Sequence, residues 1–185
     1  MTFGEVLATV IGLLEQSGIP YMVTGSLASS YHGEPRATRD ADIVIDPSID
    51  AIEHLVDGLL TAGFHVDRDV AFEAATAQSQ FNAIGPDAMK VDFIIRRNRP
   101  FSIEAFSRRQ PTDLLDPPGF VASAEDVILA KLEWAAATGS DRQLDDVAGT
   151  LAIAPALDFG YIDRWARALG IERAWHAIRD EAGSR

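Results

Sequence analysis

Between Tyr21 and Asp46 the chain reads YMVTGSLASSYHGEPRATRDADIVID, the stretch around which the rest is organised. Tyr21-Met22-Val23 is apolar and too short for a helix, so it predicts a buried strand. It runs into Thr24-Gly25-Ser26, where the glycine permits a tight exit and the serine hydroxyl suits a helix cap. The small residues that follow predict one short helix over about 27 to 32, closed by Gly33. Glu34 to Arg39 have no apolar period and contain a proline, which makes them a loop. Asp42-Ile43-Val44-Ile45-Asp46 is β-branched and predicts a second strand, ended by Pro47. Gly25-Ser26 and Asp40-Ala41-Asp42 therefore fall at the same end of neighbouring strands.

That placement has chemical meaning. Two aspartates two residues apart on a strand leave from one face, about 7 Å from each other. Unpaired, they repel, and hard divalent cations such as Mg²⁺ are the natural neutralising partners for oxygen ligands. The plainer reading makes Asp40 a loop residue and Asp42 a solvated strand end. A glycine at a strand end lets a ligand approach the backbone, and a hydroxyl with free helix amides suits phosphate. Many strands also simply turn on a Gly-Ser.

A third carboxylate comes from the pair of strands expected at 80 to 84 and 89 to 95, joined by the turn sequence Gly85-Pro86-Asp87. In the second strand Val91, Phe93 and Ile95 share one face and Lys90, Asp92 and Ile94 the other. Beside strand 42 to 46, Asp92 would complete a set of three with Asp40 and Asp42 and would be placed to take a proton from an attacking hydroxyl. On an edge strand it would sit in water beside Lys90.

The remainder reads as helices with a few short connections. Apolar residues at helical spacing predict helices over 3 to 17 and from Ile49 to about residue 62, the second capped by Ser48. Phe64 to Asp67 predict a strand, residues 69 to 78 suit a short helix, and 101 to 109 a further one. Residues 110 to 122 hold three prolines and predict a short strand or a crossing loop. From Ser123 onward the pattern is purely helical. Ser123 with Asp126 and Ser140 with Gln143 predict two capping boxes, for a helix to about 138 and for the next. Asp158 caps a third helix, and a last one follows Gly170. Trp134, Trp165 and Trp175 lie on apolar stripes and are expected in the core. Lys131 shares a face with Val127, Trp134 and Ala135, either as a buried amine with a partner or as a snorkelling side chain. Asp146 stands one turn after Arg142, which suits an i,i+4 ion pair as well as a site role.

Composition narrows the function classes. A formal net charge of -12 on 185 residues disfavours indiscriminate nucleic-acid binding. The absence of cysteine excludes thiolate metal sites and disulfides. No apolar run approaches the ~18 residues of a membrane span, and no basic leader opens the chain, so a cytoplasmic protein is expected. Arginine supplies the basic residues except for Lys90 and Lys131. The five arginines between 96 and 109 suit an acceptor such as RNA but are expected on a solvated surface, and the four histidines lack ligand spacing.

Gly25-Ser26, then Asp40-Ala41-Asp42-Ile43, then Lys90-Val91-Asp92-Phe93 resembles the signature of the nucleotidyltransferase (polymerase-beta-like) superfamily. Further on, Glu125-Asp126-Val127-Ile128-Leu129-Ala130-Lys131-Leu132 and Arg142-Gln143-Leu144-Asp145-Asp146 are similar to the AbiEii-type abortive-infection and toxin-antitoxin members. Position 143 is Gln where those members commonly have Asp. The resemblance covers residues 20 to 152 and implies an α+β fold. It would have a small mixed sheet flanked by helices over residues 1–120 and a C-terminal helical bundle over 121–185 packed on that core. It implies Mg²⁺, two ions, held by Asp40, Asp42 and Asp92 as the catalytic set, and a nucleoside triphosphate with its phosphates at Gly25 and Ser26. Lys131 and Asp146 would also reach the nucleotide or the acceptor, while Arg36 and Arg39, beside the metal pair, are candidates for phosphate oxygens. The acceptor hydroxyl would belong to RNA, protein or a small molecule, and a toxin would have a cognate antitoxin. The alternative from another class is a catalytically silent nucleotide- or partner-binding module on the same fold.

Overall fold

The computed structural model describes residues 1–35, 37–113 and 118–183. They divide into two compact units, Met1–Thr24 with Thr38–Val121, and Gly25–Ala37 with Ala122–Arg185. The short helix expected after Gly25 thus groups with the C-terminal helices, although by sequence it lies inside the first 120 residues.

The first unit is a sheet flanked by helices. Helix α1 (Phe3–Gln16) opens on a capping box, Thr2 with Glu5, and buries Val6, Val10, Ile11 and Leu14. The chain then enters β1 (Tyr21–Thr24). After the excursion through α2 (Gly25–His32), β2 (Asp40–Ile45) returns antiparallel to β1, with Thr24 opposite Asp42. This strand begins two residues earlier than its β-branched run, because β5 continues to pair with it back to Asp40. Helix α3 (Ile49–Thr61), capped by Ser48, leads to β3 (His65–Val66) and then to α4 (Arg68–Ala77). Asp67 accepts from Val70 N at 3.1 Å and so starts α4 rather than extending the strand.

Strands β4 (Gln80–Ile84) and β5 (Lys90–Ile95) form the expected antiparallel pair, and Phe81 stacks on its register partner Phe93 with ring centroids 4.9 Å apart. Helix α5 (Pro100–Ser107) is followed by β6 (Gln110–Thr112) and β7 (Gly119–Val121). The proline-rich stretch is therefore an antiparallel strand pair with Pro111 on the outermost strand, where its missing N–H is harmless. The sheet order is β3-β4-β5-β2-β1-β7-β6, with β2·β5 and β1·β7 parallel and the other pairs antiparallel. Ala41, Ile43, Ile45, Val91 and Phe93 are at most 1% exposed or close to it and form the centre of the sheet's buried face. Several arginines expected in solvent are engaged. Arg96 pairs with Asp46 at 2.9 Å and ties the ends of β2 and β5, and Arg109 lies over the rings of Phe106 and Phe120.

The second unit is helical. Helix α6 (Ala124–Thr138) starts at Ser123, whose hydroxyl accepts from Asp126 N and donates to the Asp126 carboxylate. It is followed by α7 (Asp141–Ile153), α8 (Phe159–Ala168) and α9 (Glu172–Gly183). The second capping box does not form. Ser140 makes no side-chain cap bond, because the Gln143 N–H donates to the Ser140 backbone carbonyl at 3.2 Å, and the Gln143 side chain does not reach back either, its amide oxygen accepting from Lys131 of α6 at 3.0 Å. Of the three tryptophans Trp175 alone is fully buried, while Trp165 is half-buried and Trp134 is 56% exposed. Trp134 lies at the uncovered edge of the α6 stripe, whose Lys131 and Ala135 are buried. Among the described residues no helix is long and apolar enough to cross a membrane.

Helix α2 meets α7 at two glycines. A Cβ on Gly33 would stand 2.9 Å from Thr150 N and 3.0 Å from the Gly149 carbonyl oxygen, which are backbone atoms that cannot swing away. Gly33→Ala is expected to cost about 1–3 kcal/mol through this overpacking. A lower urea midpoint measured on the helical signal would show it, and an unchanged midpoint would mean that the crossing relaxes freely.

Candidate active site

The chemistry-bearing residues of the first unit are placed by the register of β2 and β5. These strands run parallel, with Asp40 opposite Lys90 and Asp42 opposite Asp92. Register partners on adjacent strands project to one face about 4.8 Å apart. Alternation brings Asp40, Asp42, Lys90 and Asp92 to the same face, since their neighbours Ala41, Ile43, Val91 and Phe93 are all buried on the other. Thr38 fixes the start of β2: its hydroxyl donates to Asp40 O and accepts from Asp40 N.

Burial is graded across this face. Asp40 is exposed, Asp42 is half-buried, and Asp92 is 9% exposed. A carboxylate that far from water needs a partner. It has one: Lys90 Nζ donates to Asp92 Oδ2 at 2.7 Å. This hydrogen bond, reinforced by the charges of Asp92, Asp40 and Asp42, raises the Lys90 ammonium above the usual lysine range. Strand β5 is flanked by β4 and β2, so Asp92 belongs to a central strand, not to an edge in water.

The face thus carries three carboxylates and one ammonium. Its donor set is oxygen only, which suits a hard divalent ion, and it already holds a cation in the form of Lys90. Among the described residues no three His, Asp or Glu side chains are gathered into a metal-holding group as they stand, and the Asp92 carboxylate is engaged by the lysine.

Of the other expected site residues, Gly25, Ser26, Lys131 and Asp146 belong to the second unit. Gly25 directly follows Thr24, the register partner of Asp42, and has φ of +61°, which an L side chain adopts only with strain. Its carbonyl accepts from the Ser29 hydroxyl at 3.1 Å, inside α2. Ser26 sits in the first turn of that helix and is half-buried. Arg39 is exposed, and Arg36 lies outside the described residues. Lys131 is buried with its Nζ 2.6 Å from Asp146 Oδ2 and 3.0 Å from Gln143 Oε1. That answers the question left by the α6 periodicity: Lys131 is a buried amine with assigned partners, and Asp146 pairs across to α6. His32 donates from Nε2 to Ala122 O at 2.7 Å, and burial lowers its pKa.

No protein-family model matches the chain, nor does any curated protein. Solved structures do. The crystal structure of ANT(2'')-Ia in complex with adenylyl-2''-tobramycin matches over 98% of this chain and 99% of its own, at 12% identity and a TM-score of 0.57. An antigenic nucleotidyltransferase-like protein from Paracoccidioides brasiliensis matches over 80% of this chain and 74% of its own, at 17% identity and a TM-score of 0.57. The lincosamide antibiotic adenylyltransferase LnuA, in its lincomycin-bound crystal structure, matches over 78% and 93%, at 13% identity and a TM-score of 0.54. This chain has the nucleotidyltransferase fold.

Two residues gain importance once the nucleotidyltransferase fold is in view. Lys90 is legible in sequence as a neighbour of Asp92 on one strand face, since i,i+2 residues lie together, but not as its ion-pair partner in the middle of the sheet. Gln143, where the AbiEii-type pattern has Asp, caps nothing and binds the Lys131 amine. No local signal distinguishes that use from a capping box, because its partner comes from the preceding helix.

Proposed function

We propose that this chain is a Mg²⁺-dependent nucleotidyltransferase that moves a nucleoside monophosphate from a nucleoside triphosphate to an acceptor hydroxyl. The observation that carries this reading is the β2·β5 register, which sets Asp42 opposite Asp92 with Asp40 two residues along the same face. Asp40, Asp42 and Asp92 would hold the divalent ions, which when bound neutralise phosphate charge and act as Lewis acids. The acceptor oxygen attacks the α-phosphorus, the bond from that phosphorus to the bridging oxygen breaks, and pyrophosphate leaves. Asp92 takes the hydroxyl proton. Gly25 and Ser26, at the end of β1, receive phosphate oxygens on backbone amides and a hydroxyl. Arg36 and Arg39 add charge-assisted hydrogen bonds to the same phosphates. Lys131 and Asp146 belong to the reading as a pair that would have to open before either met a nucleotide.

For the acceptor we favour a small molecule bearing a free hydroxyl. ANT(2'')-Ia and LnuA, antibiotic-modifying proteins among the fold neighbours, support that choice. A toxin-like reading, with RNA or protein as acceptor and a cognate antitoxin, draws on the Glu125-to-Lys131 helix and on Arg142 and Asp146.

The test is incubation with Mg²⁺ and each α-³²P-labelled nucleoside triphosphate, first with aminoglycosides and lincosamides and then with total RNA. Label in the small molecules supports the favoured branch, and label only in RNA transfers the assignment to the toxin-like one. No transfer, with no metal- or nucleotide-dependent rise in melting temperature, overturns the enzyme reading in favour of a silent binding module.

A further inference from the structure

The acidic face of β2 and β5 contains its own cation, and the two partners of that ion pair are unequally held. The Asp92 side chain is 13% exposed, whereas that of Lys90 is 39% exposed. Asp92 is hemmed in at the middle of the sheet, opposite Asp42 on one side and Asn82 on the other. Lys90 is the first residue of β5 and reaches Asp92 with a four-carbon stem through a single hydrogen bond of 2.7 Å. A flexible stem can carry its ammonium into water while a buried carboxylate stays in place. The residue type fits such movement: a lysine makes one point contact, whereas arginine, used at every other basic position except 131, would clamp a carboxylate with two parallel bonds.

We propose that Lys90 is the resident counter-ion of the Asp40, Asp42 and Asp92 face, and that a divalent ion enters by displacing its ammonium from Asp92. This inference rests on the metal-binding reading of the three aspartates. In the metal-free protein Lys90 offsets the like charges that the register brings together. It also sets the threshold for metal, because every ion that binds must first take Asp92 from the lysine. The pair keeps the face intact at low metal concentration and leaves the third ligand aimed at its place when the lysine swings out.

The experiment measures Mn²⁺ binding by the loss of the free-ion electron paramagnetic resonance signal, together with melting temperature in chelator and in metal, on the full chain without substrate. Lys90→Met is expected to melt lower than wild type in chelator and to bind Mn²⁺ about tenfold more tightly, as removal of one close positive charge at a partly buried site implies. Lys90→Arg is expected to bind Mn²⁺ more weakly than wild type, and it serves if the methionine variant does not fold. Arg68→Met, which removes an equal charge from α4 where Arg68 pairs with Asp57, controls for net charge and is expected to change affinity less than about twofold, as a distant screened charge should. Unchanged or weaker binding by Lys90→Met, or an equal gain in Arg68→Met, overturns the displacement. Failure of the metal reading has a different signature: wild type and every variant would be indifferent to Mn²⁺, and the displacement would fall with it.

Discussion

Asp42→Asn is expected to lower nucleotide transfer by about three orders of magnitude, the rate equivalent of ~4 kcal/mol of charge stabilisation. The same variant is not expected to lose stability in chelator. Asp42 faces Asp92 in register, and like charges directly opposite on neighbouring strands destabilise by about 0.2–1 kcal/mol. Removing one therefore relieves repulsion that the Lys90 ammonium offsets in the metal-free protein and that divalent ions would offset when bound. A melting temperature that holds or rises without metal, combined with lost transfer and lost metal-dependent stabilisation, is the signature of a residue kept for chemistry. Transfer at the wild-type rate would remove Asp42 from the mechanism. A large fall in melting temperature in chelator would make it a structural carboxylate. The measurements are initial rates with labelled nucleotide and thermal melts with and without Mg²⁺.

Lys131→Met is expected to act in the opposite sense, as a loss of folding rather than of chemistry alone. The Lys131 and Asp146 side chains are only 6% and 10% exposed, and they meet at 2.6 Å between α6 and α7. Taking away the ammonium removes its bonds to a buried carboxylate and to the Gln143 amide oxygen. Breaking a buried pair from one side costs about 3–5 kcal/mol, much of it the burial of the remaining charge. The double variant Lys131→Met/Asp146→Asn removes that charge and is expected to recover most of the loss. Urea denaturation of the two single variants and the double gives the coupling. Single variants that add without coupling would show that the pair does not hold the helices together.

The ease with which parts of this architecture could be anticipated follows from how local their causes are. The β1 to β2 passage was legible because glycine at the strand end, small residues and a β-branched run each act over a few neighbours. The face occupied by Asp92 was legible from strand alternation alone, and the helix at Ser123 from a hydroxyl and a carboxylate three residues apart. The box expected at Ser140 failed in both halves: the Gln143 N–H went to the Ser140 carbonyl instead of its hydroxyl, and the Gln143 side chain met a stronger claim from a buried ammonium twelve residues earlier in the chain. Trp134 failed for a related reason: helical periodicity identifies a stripe but not which part of it a neighbouring helix covers. The segment from Gly25 was assigned by chain order to the first unit, yet its Gly33 fits against Gly149 and Thr150, a contact more than a hundred residues away in sequence.

The sequence by itself determined strands β1, β2, β4 and β5, the turn at Gly25, the shared face of Lys90 and Asp92, and the acidic pair of β2, because backbone stereochemistry and side-chain alternation are properties of neighbouring residues. Only the tertiary structure decided that β5 lies parallel beside β2 with Asp42 opposite Asp92, that Lys90 and Lys131 each end on an aspartate, and that α2 groups with the C-terminal helices. Those outcomes depend on which surfaces bury one another. That is settled by the summed burial and hydrogen bonding of distant segments, a quantity that no local window of residues contains.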